Sequence, residues 1–263
     1  ESARKRADKA VELAPTLPDA RNVLGFVQLG QGEPEAAAES FQAATRLNAL
    51  EPASHFGLGL AYVRLGKLAQ GREQLEAATK LAPGSALPHT YLGRAYDLEG
   101  RDREAGDQYA LAMAADPLDP TPYRFDAIRL ARNNAPASAR AKLHAALDRV
   151  NNRAVYRTPA LLASDRALNL ADISALEGIL GQDDQAWLDA ARAVSEDYAS
   201  GAAHLAAGDA LARQTRAGIA KQGEYLHALL RAPLGSLPPP LSVAEGIQPG
   251  GVEIGRAACR ERV

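Results

Sequence analysis

Residues 18–119 divide into three lines of equal length. They read PDARNVLGFVQLGQGEPEAAAESFQAATRLNALE at 18–51, PASHFGLGLAYVRLGKLAQGREQLEAATKLAPGS at 52–85 and ALPHTYLGRAYDLEGRDREAGDQYALAMAADPLD at 86–119. Leu24-Gly25 recurs as Leu58-Gly59 and as Leu92-Gly93, a step of 34 residues each time. The same step links Gly32, Gly66 and Gly100. It links Ala37, Gly71 and Ala105, then Phe41, Leu75 and Tyr109, then Ala44, Ala78 and Ala112. Five columns sharing one period define an internal repeat. Pro83 and Pro117 close two of the lines at that step.

Each column has a physical task in a pair of helices. The leucine is a core contact on the first helix, and the glycine after it lets the second helix approach closely. Gly32, Gly66 and Gly100 fall at the turn between the two helices, where a positive φ suits glycine. The small residue at 37, 71 and 105 faces that first glycine. The large apolar residue at 41, 75 and 109 fills the core, with the alanine three positions later on the same face. A single pair cannot bury its apolar face alone, so stacking on neighbours supplies the core.

The rest of the composition agrees. The chain has 263 residues, of which aromatics are 5% and charged residues 24%, and its formal net charge is -2. Alanine-rich sequence favours helix, and the scarcity of branched and aromatic residues disfavours sheet. The balanced charge implies no basic surface for nucleic acid. No apolar run is long enough for direct membrane insertion. One cysteine, Cys259, excludes an internal disulfide and a cysteine-rich zinc site.

The pattern closely resembles the tetratricopeptide-repeat family. The resemblance implies an all-α solenoid, a right-handed superhelix of antiparallel helix pairs with first helices lining a concave groove. Residues 1–17 then read as the second helix of a truncated repeat, through Ala7, Ala10 and Pro15, and the chain as a piece of a longer protein. Residues 18–153 give four units. In the fourth, Ala127 replaces the glycine while Ala139, Leu143 and Ala146 hold their columns. Residues 154–166 break the register as an insertion carrying Pro159. The phase returns over 167–234 in two degenerate units, through Gly181, Ala186, Ala190 and Ala193, then Gly208 and Ala220. Residues 235–263, with Pro238-Pro239-Pro240 and the run GIQPGG at 246–251, read as a linker or arm.

A second resemblance rests on NNRAVYR at 151–157, AAHLAAGDAL at 202–211 and IAKQGEYLHALLRAP at 219–233. These are similar to the repeat tail of long bacterial proteins in which tetratricopeptide repeats precede an outer-membrane β-barrel. That implies a periplasmic location and association with an outer-membrane protein or domain. The lone cysteine fits the cytoplasm equally well.

No sequence pattern for a nucleophile, phosphate loop, dinucleotide or metallohydrolase site is present, so the chain is expected to be neither an enzyme nor a cofactor binder. His55 and His89 stand at equivalent places in adjacent first helices, where the family usually has an aromatic. Packed helices stand roughly 10 Å apart, too far for both to reach one ion at about 2 Å. No metal site is therefore expected, and His144, His204 and His227 read as isolated. Asp183-Asp184 reads as the cap of the helix that follows. The remaining function is binding of a protein or peptide in the groove. The groove-facing columns give Asn22 and Phe26, then Phe56, Leu60 and Arg64, then Thr90, Arg94 and Asp97, then Arg124 and Ile128. Phe26 and Phe56 are expected as exposed apolar anchors, and the arginines as donors to the partner. The family's clamp for a C-terminal carboxylate needs Lys and Asn at fixed places; only Asn22 is present, so that role does not carry over. The alternative is a structural spacer or assembly module of a larger bacterial envelope protein, with no groove ligand.

Overall fold

The computed structural model describes residues 2–153 and 157–216, and among these it is all helix with no strand. The chain forms two compact units, one through Pro117 and one from Leu118 onward.

The first unit contains α1 (Ser2–Leu13), α2 (Pro18–Gly30), α3 (Pro34–Leu47), α4 (Pro52–Arg64), α5 (Leu68–Leu81), α6 (Ala86–Leu98) and α7 (Asp102–Ala115). Proline starts α2, α3 and α4, where its fixed φ suits the first turn and its missing N–H costs nothing. Each pair turns on one glycine at positive φ: Gly32 at 78°, Gly66 at 74° and Gly100 at 76°. Around Gly66 the Lys67 N–H reaches back to the Tyr62 carbonyl (2.9 Å) and the Gly66 N–H to Val63 (3.1 Å). This crossed pair satisfies the last carbonyls of the first helix.

The core lies along the repeat columns. Phe41, Leu75 and Tyr109 are fully buried, as are Ala44, Ala78 and Ala112. One cluster joins Leu29, Ala37, Ala38 and Phe41 to Leu58 and Ala61; the next joins Phe56, Leu75 and Ala78 to Leu92 and Ala95. Each cluster thus takes residues from two successive repeats, which is how stacking buries what one pair leaves open. A methyl group added at Gly59 would meet Leu75 Cγ at 2.6 Å and the Gly71 carbonyl at 3.0 Å.

The second unit contains α8 (Pro120–Arg132), α9 (Pro136–Leu147), a 3₁₀ turn (Val150–Arg153), α10 (Pro159–Ile179), α11 (Asp183–Glu196) and α12 (Gly201–Arg216). Its turns repeat the first unit's geometry, with Gly181 at φ 72° and Asn134 at φ 56°. Asparagine is among the few residues besides glycine that enter this region. Ala127, Ala139, Leu143, Ile173 and Leu176 form one cluster, and alanines of α11 and α12 pack with Leu170 in another.

One expectation is corrected here, and the inserted stretch takes a definite form. Residues 159–166 extend α10 to 21 residues, with Thr158 accepting from the Leu161 N–H (3.3 Å) at its start. Asp183 and Asp184 do not cap α11; they sit in its first turn, and the flanking Gln182 makes no side-chain cap. Asp183 faces Arg213 (3.3 Å) and Asp184 accepts from Gln214 (3.4 Å), both on α12. Residues 154–156 and 217–263, which include Ala220, His227, Cys259 and the expected arm, lie outside the described residues.

Candidate protein-binding face

In the first unit α2 touches α4 and α4 touches α6, so the three first helices form one row. Three aromatic rings run across it. Phe26 on α2 lies 6.3 Å from Phe56 on α4, and Phe56 meets Tyr91 on α6 edge-on at 5.6 Å. Phe26 also sits edge-on to buried Phe41 at 4.9 Å. Phe26 is 38% exposed and its neighbour Val23 is 52% exposed; at the other end Tyr91 is half-buried, with Leu87 one turn before it 44% exposed. Leu60, half-buried, packs against the core clusters on both sides of α4.

Phe56 was expected as an exposed anchor, and it is 7% exposed. The reason is its company: the Phe26 and Tyr91 rings flank it, and it joins the core cluster of Leu75, Ala78, Leu92 and Ala95. Asn22, Thr90 and Asp97 are also buried. Asn22 Oδ1 accepts from Ser54 Oγ (3.0 Å), and Thr90 Oγ1 donates to the Ala86 carbonyl (2.9 Å). These four buried residues offer a partner little surface.

The arginines divide in an informative way. Arg94 Nη1 donates to buried Asp97 at 2.8 Å. Arg124, in the second unit, pairs with Asp172 on α10 at 2.9 Å. Burial pushes the Asp172 carboxyl up, against the pull of Arg124. Ile128 is buried in the same unit beside Ala127, Leu143 and Leu176. Arg64 has no such carboxylate. Its Nη1 donates to the Leu29 carbonyl at the end of α2, and its Nε is buried without an acceptor. Desolvation lowers its pKa, offset only by the nearby Tyr91.

Both ring nitrogens of His55 and His89 are engaged within the protein. Nε2 of His55 donates to the Ala49 carbonyl (2.9 Å) and Nδ1 meets the Gln74 side chain (2.9 Å). His89 repeats this with Pro83 (3.1 Å) and Gln108 (2.7 Å). His204 is not isolated: it occupies the same register in α12 and donates from Nε2 to the Tyr198 carbonyl at 2.7 Å. These rings staple the start of a first helix to the loop before it. Among the described residues no group of three or more His, Cys, Asp or Glu is placed to hold a metal ion. No described helix is long and apolar enough to cross a membrane.

Sequence reasoning missed Tyr91 and Val23, which share one repeat position one residue beyond the column read as groove-facing. It also missed Glu177 on α10, buried with one carboxylate oxygen unpartnered. Burial and, after it, the Asp189 carboxylate on α11 push Glu177 up to about 7; Arg140 stands 3.8 Å away.

The sequence matches a family profile described as "Tetratricopeptide repeat" over residues 22–86 and 56–120. No curated protein matches it. Among solved structures, a chain of the APC/C heterotetramer Cut9–Hcn1 is similar with TM-score 0.68 at 15% identity, covering 79% of this chain. This chain spans only 39% of that one. TTC0263, a tetratricopeptide-repeat protein of Thermus thermophilus, gives TM-score 0.57 at 18% identity and covers 74% of this chain and 98% of its own. YrrB, described as a tetratricopeptide-repeat protein with an unusual peptide-binding site, gives 0.51 at 14% identity, covering 76% and 97%. At these identities the likeness speaks for the fold alone. The helix pairs, their glycine turns and the profile match agree: this is an all-α protein of the tetratricopeptide-repeat fold, with tetratricopeptide repeats across residues 22–120.

Proposed function

We propose that the chain is a non-catalytic protein–protein interaction scaffold, and that the first unit takes a segment of a partner protein across α2, α4 and α6. The observation that carries this is the aromatic row Phe26–Phe56–Tyr91, which is braced from below by Phe41 and opens outward at Phe26 and Val23. A rigid aromatic anchor beside exposed aliphatic surface is what a binding patch needs. That YrrB is described as having a peptide-binding site supports the reading by analogy of fold.

A second reading is a spacer or assembly module with no ligand on this face. The burial of Phe56, Asn22, Thr90 and Asp97, and the internal pairing of Arg94, favour it. One experiment separates the two. The chain and a Val23→Ser, Phe26→Ala variant are immobilised and exposed to proteins of the source cell. Interaction through the row predicts a partner held by the parent and lost by the variant, with equal helix content by circular dichroism. A partner held equally by both favours the spacer. The resemblance of residues 151–233 supports a periplasmic setting beside an outer-membrane domain; fractionation of the full-length product, with the signal in the cytosol, would reject it.

A further inference from the structure

We infer that the segment bound on this face presents an internal Asp or Glu side chain to Arg64, with apolar side chains on either side of it. This rests on the interaction reading above and adds the chemistry of the partner.

Arg72, Arg94, Arg124 and Arg129 are each largely covered, and each meets a carboxylate: Glu76 at 2.6 Å, Asp97 at 2.8 Å, Asp172 at 2.9 Å and Asp126 at 2.7 Å. Arg64 is partly buried too, but its acceptor is a neutral carbonyl; a buried Nε without an acceptor is common to Arg64 and Arg124, so the missing carboxylate is what sets Arg64 apart. The end of α2 contributes the partial negative charge of a helix terminus. That leaves a guanidinium without a counter-ion in a place where desolvation already acts against its charge. A carboxylate brought by a partner to the uncovered part of the guanidinium would supply the missing counter-charge through a charge-assisted hydrogen bond.

Position then selects the kind of carboxylate. Phe56, Leu60 and Arg64 follow one another at four-residue steps on one face of α4. α4 is the middle helix of the row, with Phe26 on α2 to one side and Tyr91 on α6 to the other. A segment that covers the row therefore continues past Arg64 in both directions. An internal acidic side chain fits this, whereas a chain-terminal carboxylate at Arg64 would leave half of the row bare.

The test uses the full chain and three arrays of 12-residue peptides. The first has apolar–Glu–apolar centres, the second is identical with Gln for Glu, and the third carries its only carboxylate at the C-terminus. The expected result is retention of members of the first array, with their Gln counterparts about tenfold weaker or more. Binding should weaken with added salt. An Arg64→Gln variant should bind Glu and Gln peptides alike. An Arg64→Glu variant should reverse the order, holding the Gln peptides better than their Glu counterparts. Equal retention of Glu and Gln peptides by the parent overturns this inference and leaves the interaction reading standing. Retention confined to the third array overturns the internal placement. Retention of no peptide at all overturns both. The Glu-to-Gln comparison is made on the peptide, so it stands even where an Arg64 variant folds poorly.

Discussion

At the scale of single residues, glycine sets how near two helices can come. Gly59 and Gly71 face each other across α4 and α5, and a methyl group on either would stand 3.0 Å from the other's carbonyl. Gly59→Leu should therefore destabilise the chain by about 2–4 kcal/mol through overpacking. Gly30 has open space around it, and Gly30→Ala should change stability by about 1 kcal/mol or less, in the stabilising direction. Denaturant melts of the two variants beside the parent check this, and coincident midpoints would remove the packing role from Gly59. The glycine, core and alanine columns were legible because each follows from contacts inside one repeat. The burial of Phe56 was not, because it depends on side chains of the repeats on either side, Phe26 before it and Tyr91 and Leu92 after it. The period names the helix that carries a residue; the overlap between repeats decides whether that residue reaches solvent.

At the scale of elements, helix starts were legible wherever the 34-residue step ran unbroken and failed where it did not. Pro159 looks like a breaker in the sequence, yet at the first turn proline begins a helix. That is why α10 reaches back over residues read as an insertion. The same helix carries Glu177 opposite Asp189 of α11, both buried. Around them stand Arg140 and His144 on α9 and Asp183 and Asp184 on α11, with Arg192 on Asp189 at 3.0 Å. Glu177 is held up at about 7, above its ordinary 4.5. Between those values the folded state binds more proton than the unfolded chain, so stability falls as pH rises through that window and levels off above it. The loss should be on the order of 1–3 kcal/mol. Thermal melts from pH 5 to pH 8 should show it in the parent. Glu177→Gln keeps a donor for Asp189 without the proton, and its pH dependence over this range should be nearly flat. Parallel curves for the two proteins would show that this pair does not set the response.

At the scale of the molecule, the register break and the division into units fall in different places. The repeat step passes unchanged through Pro117 and Leu118, where the two compact units divide, and breaks only after residue 153. The period reports local pairing, so it could not show that division. Stability in such a chain is a sum of helix-pair terms and nearest-neighbour terms, and opening is expected to be graded along it. Leu75, fully buried on α5, and Leu143, buried on α9, occupy the same column in different units. Leu75→Ala should cost about 2–5 kcal/mol. Amide exchange followed by mass spectrometry should then quicken most in α4 and α5, less in α3 and α6, and least in α10 and α11. Leu143→Ala should reverse the order, loosening α8 to α10 while α2 to α4 keep their protection. The core clusters give the reason, since Leu75 shares its cluster with Leu92 and Ala95 and Leu143 shares its own with Ile173 and Leu176. An equal rise in exchange along the whole chain for either variant would mean that it opens as one cooperative body, and the nearest-neighbour account would fail.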